Sequence, residues 1–513
     1  MAATPRAAAY AQAMSAPTHV VKNATVTTSA ARFARALDQV GIAPRGSLAV
    51  LTANTPEALA VYRGATWSGR RFTPMSSRWT AEEVDYVVGN CEAEVLVVDA
   101  RYQDRITDAA ARIPSQRRFS VGGEIPGFRS WAEVEALSGS PYEKPLAGET
   151  MLYTSGTTGR PKGVMRTQLT EGPPPTVTAN AGAAMMSAFM PEGARDGVHL
   201  VSAPLYHAGP NTYCDGALLL GADVVLMEKF DAEEFLAAVE KHQATSTFLV
   251  PTHFVRLLRL PESVRAQYDL SSLSLVCHGS APVSVPVKQA MIEWWGPILF
   301  EFYGGTEGGG TMIGSQEWLS KPGSVGRPRP DVELRILDDA GKPVEAGVEG
   351  TVAFALGESP FEYKDDPDKT DEGRVAPGYF TMGDIGIVDE DGYLFLRDRR
   401  ADVIISGGVN LYPAQIESAI LELPFVADCC VVGVPDEEWG ESVRAVVQRT
   451  DAAADRDASE LTNEILSHCR ERLSGMQVPR AVDFDDALPR TETGKLARRS
   501  VRSRYWSDEG RRL

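Results

Sequence analysis

MLYTSGTTGRPKGVMRT, Met151 to Thr167, puts a short apolar run ahead of hydroxyls, glycines and a lysine. Met151–Tyr153 reads as the end of a buried strand. Gly156 and Gly159 let the backbone reach positive φ and let amides come close to a ligand. Thr154, Ser155, Thr157 and Thr158 add small hydroxyl donors, and Lys162 adds a mobile point charge. Together they describe a lid for polyphosphate oxygens, placed in the crevice where open α/β sheets bind ligands. The run is not a Walker A loop, because Arg160 and Pro161 follow Gly159, and Gly163 rather than Ser or Thr follows Lys162.

The surrounding chain sets the frame for that loop. With 513 residues it has room for about three domain-sized units with large cores. The sequence holds no unbroken apolar stretch of about 18 residues, so no membrane span is expected. The N-terminus lacks the basic region and apolar core of a secretory signal. A net charge of −18 argues against nucleic acid as the main partner, since phosphate backbones want a basic surface. The six cysteines show no C-x-x-C spacing, which suits a reducing cytoplasm without a disulfide framework or zinc site.

Periodicity divides the chain into textures. Ser47–Thr52 and Glu94–Ala100 read as buried strands, and Thr55 with Pro56 opens a helix carrying Leu59, Tyr62 and Trp67 inward. Ala222–Pro251 reads as strand, helix, strand. Such alternation signals a mainly parallel sheet covered by helices. Ser138–Ala147 is a Gly/Pro-rich connection. From about Pro328 to Leu396 short strands alternate with turns, and D-D-A-G and D-E-D-G mark hairpins of a small β-rich unit. Beyond Arg400 an α+β pattern follows, with a helix from Ser459 presenting Leu461, Ile465, Leu466, Cys469 and Leu473 on one face and ended by Gly475. Asp451–Ala458 reads as a mobile loop, and the 170–197 segment as either a cover over a pocket or an ordinary surface excursion.

Four further stretches carry chemistry. LFEFYGGTEGGG, Leu299–Gly310, delivers Tyr303, Gly304, Thr306 and Glu307 into a glycine-rich turn. An aromatic ring stacks on a purine, and a carboxylate beside phosphates suits Mg²⁺, which prefers oxygen ligands. YFTMGDIG puts Asp384 where a carboxylate can accept both hydroxyls of a ribose. RDRRADVIISGGVNLYPAQIE carries Arg399, Gly407 and Gly408, and LPRTETGKLARR carries Lys495. CHGSAP contains Gly279, Ser280 and Ala281, with His278 either a core histidine or a pocket wall, and PLYHAGP contains His207, by itself a helix-capping or core histidine.

In this order the motifs resemble the adenylate-forming superfamily, whose members include acyl-CoA synthetases, luciferases and peptide-synthetase adenylation domains. The resemblance spans about residues 30 to 505 and looks closest to the fatty-acyl and aryl-acyl CoA synthetases. It implies an α/β fold: a large N-terminal domain, residues 1–398, of two doubly wound α/β subdomains plus a small β-barrel-like subdomain, and a small mobile α+β C-terminal domain, residues 399–513.

The resemblance also implies roles. Thr154, Ser155, Gly156, Thr157, Thr158, Gly159 and Lys162 would hold the phosphates of ATP, and Thr154 would also be catalytic. Gly279, Ser280, Ala281, Tyr303 and Gly304 would line the adenine and acyl pockets, with Thr306 on phosphate. Asp384 and Arg399 would hold the ribose. Glu307 would bind the Mg²⁺, Gly407 and Gly408 would border a pantetheine tunnel for CoA, and His207 would stand between acyl pocket and thiol route.

Lys495 would sit between the carboxylate and the α-phosphate while acyl-AMP forms, before a thiol, expected to be CoA, displaces AMP. The acid is aryl or fatty, with pocket walls expected from Tyr206–Thr212, Thr252–Leu257 and Gly304–Met312. Alternatives that keep adenylation pass the acyl group to a carrier protein or amine, or activate nitrite towards an aryl amine. A homodimer is the expected assembly. Ala401 stands at the expected hinge, where many relatives carry Asp or Lys, and Gln477 stands where many carry Lys.

Overall fold

The computed structural model describes residues 18–154, 161–166, 180–329, 332–355, 361–490 and 496–506. Ser47–Leu51 and Val95–Asp99 are fully buried strands, neighbours in a sheet of six parallel strands. The run of Val and Leu at such strands follows from burial of both sheet faces. Thr55 accepts a hydrogen bond from the Ala58 amide and starts the helix Pro56–Thr66, with Pro56 in its first turn.

A second sheet of eight strands contains Val198–Val201, Asp223–Met227, Ser246–Leu249, Leu275–His278 and Leu299–Gly305, with parallel pairing among these five. Val198–Val201 lies between Asp223–Met227 and Ser246–Leu249, so the strand–helix–strand unit read at Ala222–Pro251 skips one strand position. The Thr18–Val21 strand closes one side antiparallel, and the Gly308–Gly314 strand turns back antiparallel near the other. The apolar core gathers here around Phe235, Phe254, Trp318 and Leu299.

A six-stranded antiparallel sheet follows, built from Leu334–Leu337 to Leu394–Arg399. The D-D-A-G and D-E-D-G turns both form, with Gly341 N bonded to Asp338 O and Gly392 N to Asp389 O. Past it, Val426–Asp436 and Gly440–Arg449 form a long antiparallel pair, packed against the helices Pro413–Ile420 and Ala458–Arg472. Fold class is therefore mixed α/β, with a large N-terminal and a small C-terminal part. No helix among the described residues is long and apolar enough to cross a membrane.

Four local expectations are corrected. The buried strand end expected at Met151–Tyr153 is a half-buried strand, Leu152–Thr154, outside the parallel sheet. It pairs antiparallel with Lys162–Arg166 in a three-stranded sheet with Phe361–Tyr363, because the chain leaves the parallel sheet at Glu149–Thr150 and doubles back. Gly475 does not cap the helix Ala458–Arg472; Leu473 ends it in an extended conformation. Asp451–Ala458 is not a bare loop: Asp451–Ala453 is a short 3₁₀ turn that buries Ala453, and Asp457 caps the next helix through the amides of Ser459 and Glu460. In the 170–197 segment, residues 170–179 lie outside the described ones; of the rest, residues 191–193 are exposed, but the helix Ala181–Phe189 before them is no surface excursion. Met185, Met186 and Met190 pack with Tyr213 and Phe248 in one buried cluster.

Candidate active site

The antiparallel strands Leu299–Gly305 and Gly308–Gly314 make a hairpin with Tyr303 opposite Thr311 and an irregularity between Tyr303 and Gly305. Thr306 and Glu307 sit at its tip. A Cβ at Gly305 would meet Met382 Sδ and Glu307 Oε2, so those two side-chain ends would have to shift to admit one. Both oxygens of Glu307 are engaged: Thr306 Oγ1 donates to Oε2 at 2.9 Å, and the Tyr363 hydroxyl donates to Oε1 at 2.7 Å.

The Tyr303 hydroxyl donates to Asp384 Oδ2 at 2.6 Å. Asp384 opens the strand Asp384–Val388 and lies opposite Arg399 in the register with Leu394–Arg399. Arg399 Nε stands 3.5 Å from Asp384 Oδ1. Burial, and then Asp384, push the Tyr303 hydroxyl well above its ordinary pKa, and burial, and then Glu307, do the same at Tyr363. Both phenols therefore stay protonated donors to their carboxylates. Asp384 is nearly buried, whereas the Arg399 side chain is more than half exposed.

Thr154 and Lys162 face each other across the small antiparallel sheet, and Lys162 Nζ pairs with Asp366 Oδ2 at 2.7 Å. Ser155, Gly156, Thr157, Thr158 and Gly159 lie outside the described residues, as does Lys495. The chain on either side of Lys495 is placed: Arg490 and Leu496 form an antiparallel bridge, and Arg490 is ion-paired with Asp428. Arg259 of the N-terminal part donates to the neighbouring Ala427 carbonyl.

Gly279, Ser280 and Ala281 follow the strand Leu275–His278, which neighbours the Tyr303 strand. Ser280 holds a left-handed φ of 70°, a strained choice for a non-glycine residue. His278 is fully buried with its ring edge-on to Phe254, which makes it a core histidine. His207 stands at the start of the helix Ala208–Leu219, its ring against Tyr206 at 4.4 Å between centroids. Gly407 and Gly408 form a two-residue hairpin turn with φ of 57° and 79°, the mirror-image turn that suits strand twist. In the Thr252–Leu257 stretch, His253, Phe254 and Leu257 face the core rather than a pocket.

The site thus unites Tyr303, Glu307, Asp384 and Arg399 from separate motifs, with Lys162 bordering them through the Phe361–Asp366 segment. Sequence reading missed Tyr363 and Asp366, which touch Glu307 and Lys162. Nothing local marks FEYKDDPDKT as part of a site, since its partners lie on other elements.

Comparison with known proteins decides the family. The AMP-binding enzyme family matches residues 5–357, and the AMP-binding enzyme C-terminal domain matches residues 415–495. The chain belongs to the AMP-binding enzyme family. Among relatives of this AMP-binding enzyme is a feruloyl-CoA synthase of Amycolatopsis sp, 33% identical over 493 residues that cover 94% of this chain and 93% of the relative. An indoleacetate–CoA ligase of Aromatoleum aromaticum is 34% identical, covering 92% of this chain and 90% of the relative. Among solved structures, the amide bond synthetase McbA from Marinactinospora thermotolerans superposes with a TM-score of 0.80 at 29% identity, covering 94% of each chain. ATP-bound MatB from Rhodopseudomonas palustris gives 0.78 at 28% identity, covering 94% of this chain and 92% of MatB.

Proposed function

We propose that this AMP-binding enzyme activates a carboxylic acid with ATP to give acyl-AMP and pyrophosphate, then transfers the acyl group to CoA. The observation that carries the reading is the Tyr303–Asp384–Arg399 cluster. It sets an aromatic ring, a ribose-sized carboxylate acceptor and an exposed cation beside the Glu307 hairpin. CoA as acceptor draws support from the relatives named as CoA synthases and ligases. The acid is a small molecule of the aryl or fatty class.

In this reading Tyr303 flanks adenine, with the Gly279–Ala281 turn alongside. Asp384 and Arg399 hold the ribose, and Thr154, Lys162 and the loop between them take the triphosphate. Among the described residues no cluster of three or more His, Cys, Asp and Glu is arranged to hold a metal by itself. The single carboxylate of Glu307 fits Mg²⁺ instead, because that ion binds through one or two carboxylates and the phosphates of its substrate. When bound there, Mg²⁺ would supply charge neutralisation at the phosphates. Lys495 reaches the α-phosphate from the C-terminal domain, which begins at residue 399 and swings between the two half-reactions. His207 lines the route between acyl group and thiol, and the Gly407–Gly408 turn borders the pantetheine.

The match to an amide bond synthetase favours a second reading, in which an amine takes the acyl group. One experiment separates them. Purified protein is given ATP, Mg²⁺ and a panel of aryl and fatty acids, with CoA, with amines, or with neither, while pyrophosphate and acyl products are followed. Acid-dependent pyrophosphate with a thioester only when CoA is present supports the first reading. Amide without thioester supports the second, and an absence of acid-dependent pyrophosphate refutes adenylation itself.

A further inference from the structure

Among the described residues, the segment Phe361–Asp366 ties the small three-stranded sheet to the Glu307 hairpin and to the first sheet's side. Its backbone extends the small sheet, Tyr363 opposite Val164, and the Lys364 amide donates to the Gly163 carbonyl at 2.8 Å. Tyr363 reaches Glu307, and Asp366 reaches Lys162. From the first sheet's side, Asn90 Nδ2 donates to Asp365 Oδ2 at 3.0 Å, while its Oδ1 accepts from the Tyr153 hydroxyl at 2.6 Å. Lys364 Nζ adds a contact to Glu92 at 3.1 Å. Thr370, nearly buried, locks the segment internally: its hydroxyl accepts from the Tyr363 amide and donates to the Asp366 carbonyl. Asp365 holds a left-handed φ of 57°, so the bend after Tyr363 keeps a strained residue in place.

We propose that Phe361–Asp366 is a strap that presets the metal-facing carboxylate, with Tyr363 as the positioning residue acting through Glu307. This rests on the reading that Glu307 faces Mg²⁺ and the phosphates of ATP. With Tyr363 on Oε1 and Thr306 on Oε2, the carboxylate is held in one rotamer, and each oxygen keeps a lone pair for a cation. Hydrogen bonds that orient a metal-facing group typically change metal affinity by about 10- to 100-fold when removed. The strap's ties to Lys162, Asn90 and Glu92 hold the phenol where it meets Glu307.

The test compares wild type, Tyr363→Phe and Glu307→Gln by two readouts. Calorimetry gives ATP affinity in Mg²⁺ and in EDTA, and pyrophosphate formation gives the Mg²⁺ concentration for half-maximal rate. Tyr363→Phe keeps the ring and is expected to need about 10-fold more Mg²⁺. It should lose most of the gain in ATP affinity that Mg²⁺ confers, while affinity in EDTA and thiolysis of supplied acyl-adenylate stay near wild type. Glu307→Gln should abolish the Mg²⁺ response. If Glu307→Gln abolishes it and Tyr363→Phe leaves it at the wild-type value, the strap proposal is overturned while the site reading stands. If Glu307→Gln itself responds to Mg²⁺ like wild type, the placement of the metal at Glu307 fails and the proposal fails with it. A uniform fall of Tyr363→Phe in both half-reactions and in EDTA affinity assigns Tyr363 a merely structural role and also overturns the proposal.

Discussion

Tyr303 donates its hydroxyl hydrogen to Asp384 at 2.6 Å, and that bond joins the eight-stranded sheet to the antiparallel sheet beside it. The carboxylate is nearly buried, so its charge depends on Tyr303 and Arg399 for stabilisation. Tyr303→Phe keeps the ring and deletes the donor. Losing a hydrogen bond to a charged group costs about 1.5–3 kcal/mol. The variant should lose stability of that order in chemical denaturation. Its Michaelis constant for ATP should rise while that for the acid changes little. Equal changes for both substrates would remove Asp384 from the nucleotide side.

Lys495 lies outside the described residues, yet its flanks, Arg490 and Leu496, bridge next to the Arg490–Asp428 pair. Removing one preorganised donor from a developing charge typically costs about 10²–10³ in rate. Lys495→Ala should therefore slow acyl-AMP formation by about that factor and spare thiolysis of supplied acyl-adenylate. Rapid-quench measurement of each half-reaction checks it, and equal loss in both would make the lysine structural.

Behind the Tyr303 strand, Lys288 is fully buried, paired with Glu301 and set over the Trp318 ring at 4.8 Å. Glu301 lies two residues before Tyr303 and opposite His278 in the sheet register. Removing one partner of such a pair costs about 3–5 kcal/mol, because the other charge is left buried, whereas replacing both by apolar groups is far milder. Lys288→Met should be destabilised by that amount, and Lys288→Met with Glu301→Leu should recover most of it. A double variant no more stable than Lys288→Met would show that the loss comes from packing rather than charge.

Much of this fold was legible because its signals are local. Buried strands such as Val95–Asp99 announce themselves as unbroken apolar runs, and Thr55–Pro56 specifies a helix start within two residues. The glycine-rich turn after Leu299 was legible for the same reason, whereas Asp384 was singled out only through the resemblance of its motif. Long-range pairings were not legible. No local pattern tells that Leu152–Thr154 leaves the parallel sheet, since that depends on its partner Lys162–Arg166 and on Phe361–Tyr363. Met185, Met186 and Met190 sit in a Gly/Ala-rich segment that reads as a surface excursion until Tyr213 and Phe248 are placed against it. Tyr363 and Asp366 belong to the site only through tertiary contacts, which a single chain without its fold does not display.

Three buried histidines give the protein an acid limit. Burial lowers His199 from 6.5 to about 4 and, with Arg256 adding to it, His253 to about 3; His278 is lowered by burial and then by Lys288. In each case the folded state excludes a proton that the unfolded chain binds below about pH 6.5. The unfolded state therefore holds more protons in that window, and stability falls as pH drops through it. At pH 5.5 each such histidine costs on the order of 1 kcal/mol, or a few kcal/mol for three. Asp215, Glu301, Asp398 and Glu417, raised by burial, act in the opposite sense from the carboxylate range upward and offset part of this. Urea denaturation at pH 7.5 and 5.5 should show the drop. His199→Asn, which keeps an acceptor or donor for Ser246, should be less sensitive by about one histidine's share. A variant with the full wild-type pH slope would mean that His199 takes up its proton equally in the folded and unfolded chain.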